Sequence, residues 1–137
     1  MSDLLQGEVS IASESDIVAA RKSVRMAAEA LGFGVTDVTR IVTAASELTR
    51  NIFRYASTGV IRWRHLQEDD NLGLELTFLD EGPGIADIDK AMQAGFSTSG
   101  GLGLGLPGAK RLMDDLTVVS ILGQGTTITA IKWYRKH

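Results

Sequence analysis

Ser46-Glu47-Leu48-Thr49-Arg50-Asn51-Ile52-Phe53-Arg54-Tyr55-Ala56 is the stretch from which the rest of the chain is read. At about 100° per residue, the helix that contains it carries an apolar stripe of Val38, Ile41, Ala45, Leu48, Ile52 and Ala56. Glu47, Asn51 and Arg54 fall together on a different face, with Arg50 beside them. Taken alone, that flank is a solvated helix face, because polar neighbours at i, i+4 are common. Asn, however, is a poor helix-interior residue and is wasted there unless its side chain has a task. A carboxylate beside an amide oxygen suits a general base next to a hard-cation ligand.

Thr36 or Asp37 is expected to cap this helix, which runs to about Ala56. Upstream, Val9-Ser10-Ile11 alternates as a short strand, and Ser13 opens a helix with Asp16 as its capping-box partner. Ile17, Val24, Ala28 and Leu31 form that helix's apolar stripe, and Gly32 and Gly34 end it. Downstream, Val60–His65 and Leu72–Leu79 alternate at period two around the polar turn Gln67–Asn71, predicting a β-hairpin. Ile88–Ala94 predicts a short helix between Asp87 and Gly95. Pro107 stands in the first turn of another that ends near Asp114. The last strands are Leu116–Leu122 and Thr126–Trp133, joined at Gly123-Gln124-Gly125. The order β-α-α-β-β-α-α-β-β predicts an α+β, two-layer sandwich, with a mixed but mostly antiparallel sheet and its helices on one face.

The chain has 137 residues, with 14 Lys+Arg against 17 Asp+Glu and a net charge of −3. That length predicts a single domain over 1–137, with an ordered core over about 9–135. The acidic balance argues against a nucleic-acid binder, whose affinity rests on a cationic face. No cysteine is present and the two histidines, His65 and His137, lie far apart, so thiolate or His-rich metal sites are not expected. No apolar run is long enough for a membrane span, and the N-terminus lacks the pattern of a secretory signal, so a cytoplasmic location is expected.

Three further segments bear on chemistry. Leu79-Asp80-Glu81-Gly82-Pro83-Gly84-Ile85 closes an apolar strand. A turn accounts for the Gly-Pro-Gly, but an ionised carboxylate after Leu76-Thr77-Phe78-Leu79 is costly without donors. A ligand's exocyclic amino group is such a donor, and the glycines allow a flat ring to approach the backbone. Ser97-Thr98-Ser99-Gly100-Gly101-Leu102-Gly103-Leu104-Gly105-Leu106-Pro107-Gly108 presents free N–H groups just before a helix, an anion cradle. It matches neither the G-x-x-x-x-G-K-[ST] loop nor a dinucleotide fingerprint. Lys110 and Arg111 add charge there or belong to a solvated face. Gly123-Gln124-Gly125-Thr126-Thr127 is a hairpin turn, or else supplies a Thr126 hydroxyl that supports the Asp80 carboxylate.

Glu47-x-x-x-Asn51, Asp80-x-Gly82-x-Gly84, Gly101-Leu102-Gly103-Leu104-Gly105 and Gly125-Thr126, in that order, resemble the GHKL ATP-binding fold of gyrase, histidine kinases and MutL. The length and the lack of a phosphoacceptor-histidine hairpin leave the stand-alone partner-switching group. Within it the chain resembles the RsbT-type serine/threonine kinases, relatives of the RsbW and SpoIIAB anti-sigma factors. Tyr55 stands where the anti-sigma relatives tend to carry histidine, which favours the RsbT branch. The resemblance implies ATP and Mg2+ as cofactors. It implies Glu47 as general base, Asn51 as Mg2+ ligand, and Asp80 as acceptor for the adenine amino group. It further implies Gly84 close to the ring with Thr126 behind it, and Gly101, Gly103 and Gly105 cradling the phosphates. Arg54, Gly82, Ile85, Leu102 and Leu104 complete the implied ATP-binding set, and Ser97–Gly100 the lid. The implied partners are a STAS-domain antagonist as substrate and the regulatory domain of a PP2C-type phosphatase. The alternative is an anti-sigma factor that sequesters a sigma subunit in an ATP-dependent manner. A homodimer is also open, through the short Val9–Ile11 strand.

Overall fold

The computed structural model describes residues 6–82 and 106–134. In chain order they form β1 (Gln6–Ile11), α1 (Glu14–Leu31), α2 (Val35–Asn51) running straight into a π turn (Ile52–Ala56), β2 (Gly59–Glu68), β3 (Asn71–Asp80), α3 (Leu106–Leu112), β4 (Asp115–Ile121) and β5 (Gly125–Tyr134). The sheet order is β1-β2-β3-β5-β4, and every pairing among these strands is antiparallel. The α+β sandwich expected from the sequence is therefore present, with the sheet wholly antiparallel in the described residues. The helix Ile88–Ala94 lies outside them.

Asp16 begins α1 by reaching back: its carboxylate accepts the N–H groups of Ala12 at 2.8 Å and Ser13 at 3.0 Å. The Ala12 bond is the main reason its pKa lies below the ordinary value. Gly32, at φ +110°, ends the helix in the left-handed conformation. The buried stripe contains the expected Ile17, Val24 and Ala28 and adds Ala20 and Ala27, whereas Leu31 is only partly covered.

Helix α2 departs from expectation at both ends. Its N-cap is Gly34, whose carbonyl accepts the Val38 N–H at 2.9 Å, and not Thr36 or Asp37. The Asp37 carboxylate is instead engaged by Arg40 at 3.1 Å. At the other end the α-helix stops at Asn51, and the residues to Ala56 follow a wider π turn closed by Ser57 at φ +70°. Of the expected stripe, Val38, Ile41, Ala45, Leu48 and Ile52 are buried, whereas Ala56, at the end of the π turn, is only half-buried. Thr49 is buried too, its hydroxyl donating to the Ala45 carbonyl at 2.6 Å.

The hairpin strands are longer than expected. Gln67, Glu68 and Asn71 are in strand, and only Asp69-Asp70 turn, with Asp69 at φ +56°. A two-residue connection of this kind matches the twist of the flanking strands, which lets the pairing extend to its limit. Helix α3 ends at Leu112, near the expected Asp114, and the Lys132 ammonium donates to the Leu112 carbonyl at 3.2 Å. The Asp114 carboxylate instead accepts the Trp133 N–H at 2.7 Å.

The helices cover one face of the sheet. Ile61, Leu74, Leu76, Phe78, Ile128 and Ala130 meet Val24, Ile41, Ala45 and Leu48 in one buried cluster. The His65 ring, with Nε2 3.1 Å from the Ala27 carbonyl, ties α1 to β2. The opposite face carries exposed ion pairs, Arg62 with Glu8 at 2.9 Å and Arg64 with Glu75 at 2.7 Å. Among the described residues no helix is long and apolar enough to cross a membrane.

Candidate active site

The sheet order brings distant segments into one row. Cross-strand register aligns Ile11 with Gly59, Gly59 with Asp80, Asp80 with Thr126, and Thr126 with Ser120. Residues directly opposite share a face, and Ile11 and Thr126 are buried, so this row is the helix-facing end of the sheet. Asp80 thus ends the apolar series Leu74, Leu76, Phe78, as its position in the sequence suggests. Its Oδ1 accepts the Gly82 N–H at 2.9 Å, which fixes the carboxylate at the strand terminus.

Two close approaches hold the end of α2 against this row. A Cβ on Gly59 would lie 2.5 Å from Ile52 Cγ2, and one on Gly82 would lie 2.7 Å from Ala56 Cβ. The π turn therefore rests on two glycines that flank Asp80, immediately after half-buried Asn51. On the far side Gly125 adopts φ +133°, and a Cβ there would overlap the Asp80 carbonyl oxygen. Gly59 and Gly125 were not among the sequence-predicted site residues. Gly59 is the first residue of β2 and reads in the sequence as an ordinary glycine ahead of a strand, so no local signal marks it.

Thr126 stands directly opposite Asp80 in register, while its hydroxyl contact runs to β4 on the other side. Its hydroxyl lies 2.8 Å from that of Ser120 on the neighbouring strand. Sequence reasoning missed Ser120, because a hairpin partner is invisible until register is known.

Glu47 stands one helical turn before Asn51 and faces outward, its side chain 49% exposed and 3.6 Å from Arg50. It opens on a groove of about 250 Å³ between α1 and α2, lined by Arg21, Arg25, Ser46 and Arg50 among others. Asp80 borders a different groove, of about 620 Å³, around the ends of β1, β2 and β3. Glu47 and Asp80 are linked through Asn51 and the π turn, and each borders its own groove of these two.

A family model described as histidine kinase-, DNA gyrase B-, and HSP90-like ATPase matches residues 36–135. The chain is 54% identical over 130 residues to the serine/threonine-protein kinase RsbT of Bacillus subtilis strain 168, covering 95% of this chain and 98% of the relative. It belongs to the RsbT-type serine/threonine kinases of that ATPase family. An anti-sigma F factor of Caldanaerobacter subterraneus is 33% identical, over 75% of each chain. Among solved structures, the RsbU and RsbW domains of a Mycobacterium tuberculosis protein share the fold at TM-score 0.61 and 20% identity, over 95% of this chain and 33% of that one. The SiaB–SiaC complex of Pseudomonas aeruginosa does so at TM-score 0.55 and 15% identity, over 96% of this chain and 90% of that one.

As an RsbT-type kinase the chain is an ATP-using partner-switching enzyme. Of the expected site residues, the structure places Glu47, Asn51, Asp80, Gly82 and Thr126 around the junction of α2 with the sheet end. Arg54 lies within the π turn. Gly84, Ile85, Gly101, Leu102, Gly103, Leu104 and Gly105, with the expected lid Ser97–Gly100, lie outside the described residues. Leu106, the residue after that glycine run, is fully buried and starts α3, which packs on α2. Lys110 and Arg111 are exposed on α3, consistent with a solvated face.

Proposed function

We propose that this chain transfers the γ-phosphoryl group of Mg-ATP to a serine or threonine hydroxyl of a STAS-domain antagonist protein. Released from that partner, it activates a PP2C-type phosphatase through the phosphatase's regulatory domain. The observation that carries the reading is the Glu47–Asn51 helical turn, seated by the π turn against the sheet end that bears Asp80. In this reading Asp80 accepts from the adenine amino group, and the Gly82 and Gly125 positions, free of Cβ atoms, keep Ala56 and the Asp80 backbone in close contact around it. The glycine run before α3 receives the triphosphate.

The donor set fits Mg2+, which takes oxygen ligands and is normally held by only one or two protein groups plus substrate phosphates. Asn51 would supply its amide oxygen, and the ion would neutralise phosphate charge. Glu47 accepts the hydroxyl proton as that oxygen bonds to the γ-phosphorus; the bond to the β–γ bridging oxygen breaks and ADP leaves. Such a transfer demands positioning and charge compensation more than covalent catalysis. Glu47 is exposed, as a base meeting a protein substrate must be. Arg21, Arg25 and Arg50 around it supply positive charge for an acidic approach.

The test is Glu47→Gln with a cognate STAS protein. Phosphotransfer should fall by about 10²–10⁴-fold, with ATP affinity within about threefold of the parent. Undiminished transfer removes Glu47 as the base. Absence of any heat with adenine nucleotides in calorimetry of the folded parent removes the whole reading. The similarity to an anti-sigma F factor supports a second reading, ATP-dependent capture of a sigma subunit. Co-purification with nucleotide that recovers a sigma subunit and no STAS protein or phosphatase would favour it.

A further inference from the structure

Register sets a second row of side chains beside the site row, on the opposite face of the sheet. Ser10, Val60, Leu79, Thr127 and Val119 stand directly opposite one another across β1, β2, β3, β5 and β4. Successive residues of a strand point to opposite faces. Their neighbours Ile11, Ile61, Phe78 and Ile128 belong to the buried cluster, so this row looks away from the helices. Ile121, on the same side of β4, and Leu122 extend it; Val119, Ile121 and Leu122 are 64%, 53% and 64% exposed. The next rows on this face carry the ion pairs of Arg62 with Glu8 and Arg64 with Glu75. The outer face is thus apolar at the site end and charged at the other, and a contiguous exposed apolar stripe marks an interaction surface. Its inner half floors the groove of about 620 Å³, which Arg62 and Glu81 also line.

We propose that this stripe docks an amphipathic helix of the partner that is not the substrate, the regulatory domain of the phosphatase. The assignment rests on the reading of the chain as a kinase with that second partner. Three observations select the occupant. The stripe crosses all five strands, so a strand added beside β1 or β4 would meet one of its residues, whereas a helix laid across the sheet meets the whole row. Four inter-strand steps span about 19 Å, the length of a helix of about 13 residues, which presents apolar anchors at i, i+3 or i+4 and i+7. Arg62 stands two residues from Val60 on the charged side of the row and Glu81 two residues from Leu79 on the other, so the matching helix has an acidic and a basic flank. Finally, Glu47 opens between α1 and α2, in the other layer of the fold. A protein seated on the stripe does not bring a hydroxyl to that base, so the stripe serves a partner that is bound and not phosphorylated.

The experiment takes Val119→Glu, Ile121→Glu and, as a control, Val35→Glu, which puts the same charge on the exposed start of α2. Each position is exposed, so the fold tolerates the change. Calorimetry measures affinity for the phosphatase regulatory domain, and a kinase assay measures transfer to the STAS protein. Both stripe variants should bind the phosphatase domain about tenfold or more weakly, with transfer within about twofold of the parent. Val35→Glu should change neither. Parent-like phosphatase affinity in both stripe variants overturns the proposal, and so does a parallel loss of transfer, which assigns both partners to one surface. A parent that transfers phosphate but does not bind the phosphatase domain overturns the proposal and the second-partner reading, while the kinase reading stands. A parent that self-associates in sedimentation, with Val119→Glu restoring the monomer, gives the stripe to a second copy and overturns the proposal as well. Amide hydrogen exchange in the complex separates helix from strand: the outer edges of β1 and β4 should keep their exchange rates, and new protection along either edge refutes a docked helix.

Discussion

Gly125→Ala is the substitution whose consequences the structure specifies most closely. Two costs arise. The first is conformational: at φ +133° an L-residue sits in a sparsely populated region, costing about 1–3 kcal/mol. The second is displacement, since the new Cβ would lie 2.8 Å from Glu81 Cα and would overlap the Asp80 carbonyl. Restoring a contact of roughly 3.5 Å to the overlapped Asp80 carbonyl oxygen moves the end of β3 by about 1.4 Å away from β5. That motion separates Asp80 from Thr126, and misplacements of this size in a positioned site are expected to cost on the order of 10–100-fold in affinity. Gly123→Ala is the internal control, because Gly123 also has positive φ, at +78°, but a Cβ there meets nothing within 4 Å. Thermal unfolding should show Gly123→Ala destabilised by about 1–3 kcal/mol, and Gly125→Ala by more, because it adds the displacement. Calorimetry with ATP should show the affinity loss in Gly125→Ala alone. Parent-like ATP affinity in Gly125→Ala, or an equal loss in Gly123→Ala, would refute the argument that Gly125 sets the spacing of the site.

Lys132→Met removes an ammonium that is mostly covered, donates to the Leu112 carbonyl, and lies 3.9 Å from Asp37 and 3.8 Å from Asp114. With one short bond and two long ion pairs lost, urea unfolding should show about 1–2 kcal/mol of destabilisation, below the cost of breaking a tight buried pair. Arg50→Ala breaks only an exposed 3.6 Å pair with Glu47. Its effect on the urea midpoint should stay below about 0.5 kcal/mol, while transfer to an acidic protein substrate slows severalfold in a kinase assay. Asp16 has a depressed pKa in the folded state, so its stabilising contribution is complete above its unfolded value and is lost as pH falls through the folded one. The melting-temperature gap between the parent and Asp16→Asn should therefore be constant near neutrality and close on acidification below about pH 4; a gap that widens on acidification would contradict this sign.

Periodicity and punctuation determined the order of the described elements, the buried stripe of α2 from Val38 to Ile52, and the placement of Glu47 and Asn51 one turn apart, because these depend on spacings within a single helix or strand. The ordered glycine segments pointed to the ATPase family for the same reason: short motifs are local. What the one-dimensional string does not hold is which strand lies beside which. Only the tertiary structure decided that β5 inserts between β3 and β4, and so set Asp80 opposite Thr126 and Thr126 opposite Ser120. The π turn after Asn51 was likewise out of reach of helical periodicity. Its wider winding goes with contacts to Gly59 and Gly82, which lie elsewhere in the chain. The contact between the Ser120 and Thr126 hydroxyls and close packing against a missing Cβ are properties of atoms from different strands meeting in space, and they exist only once the sheet has assembled.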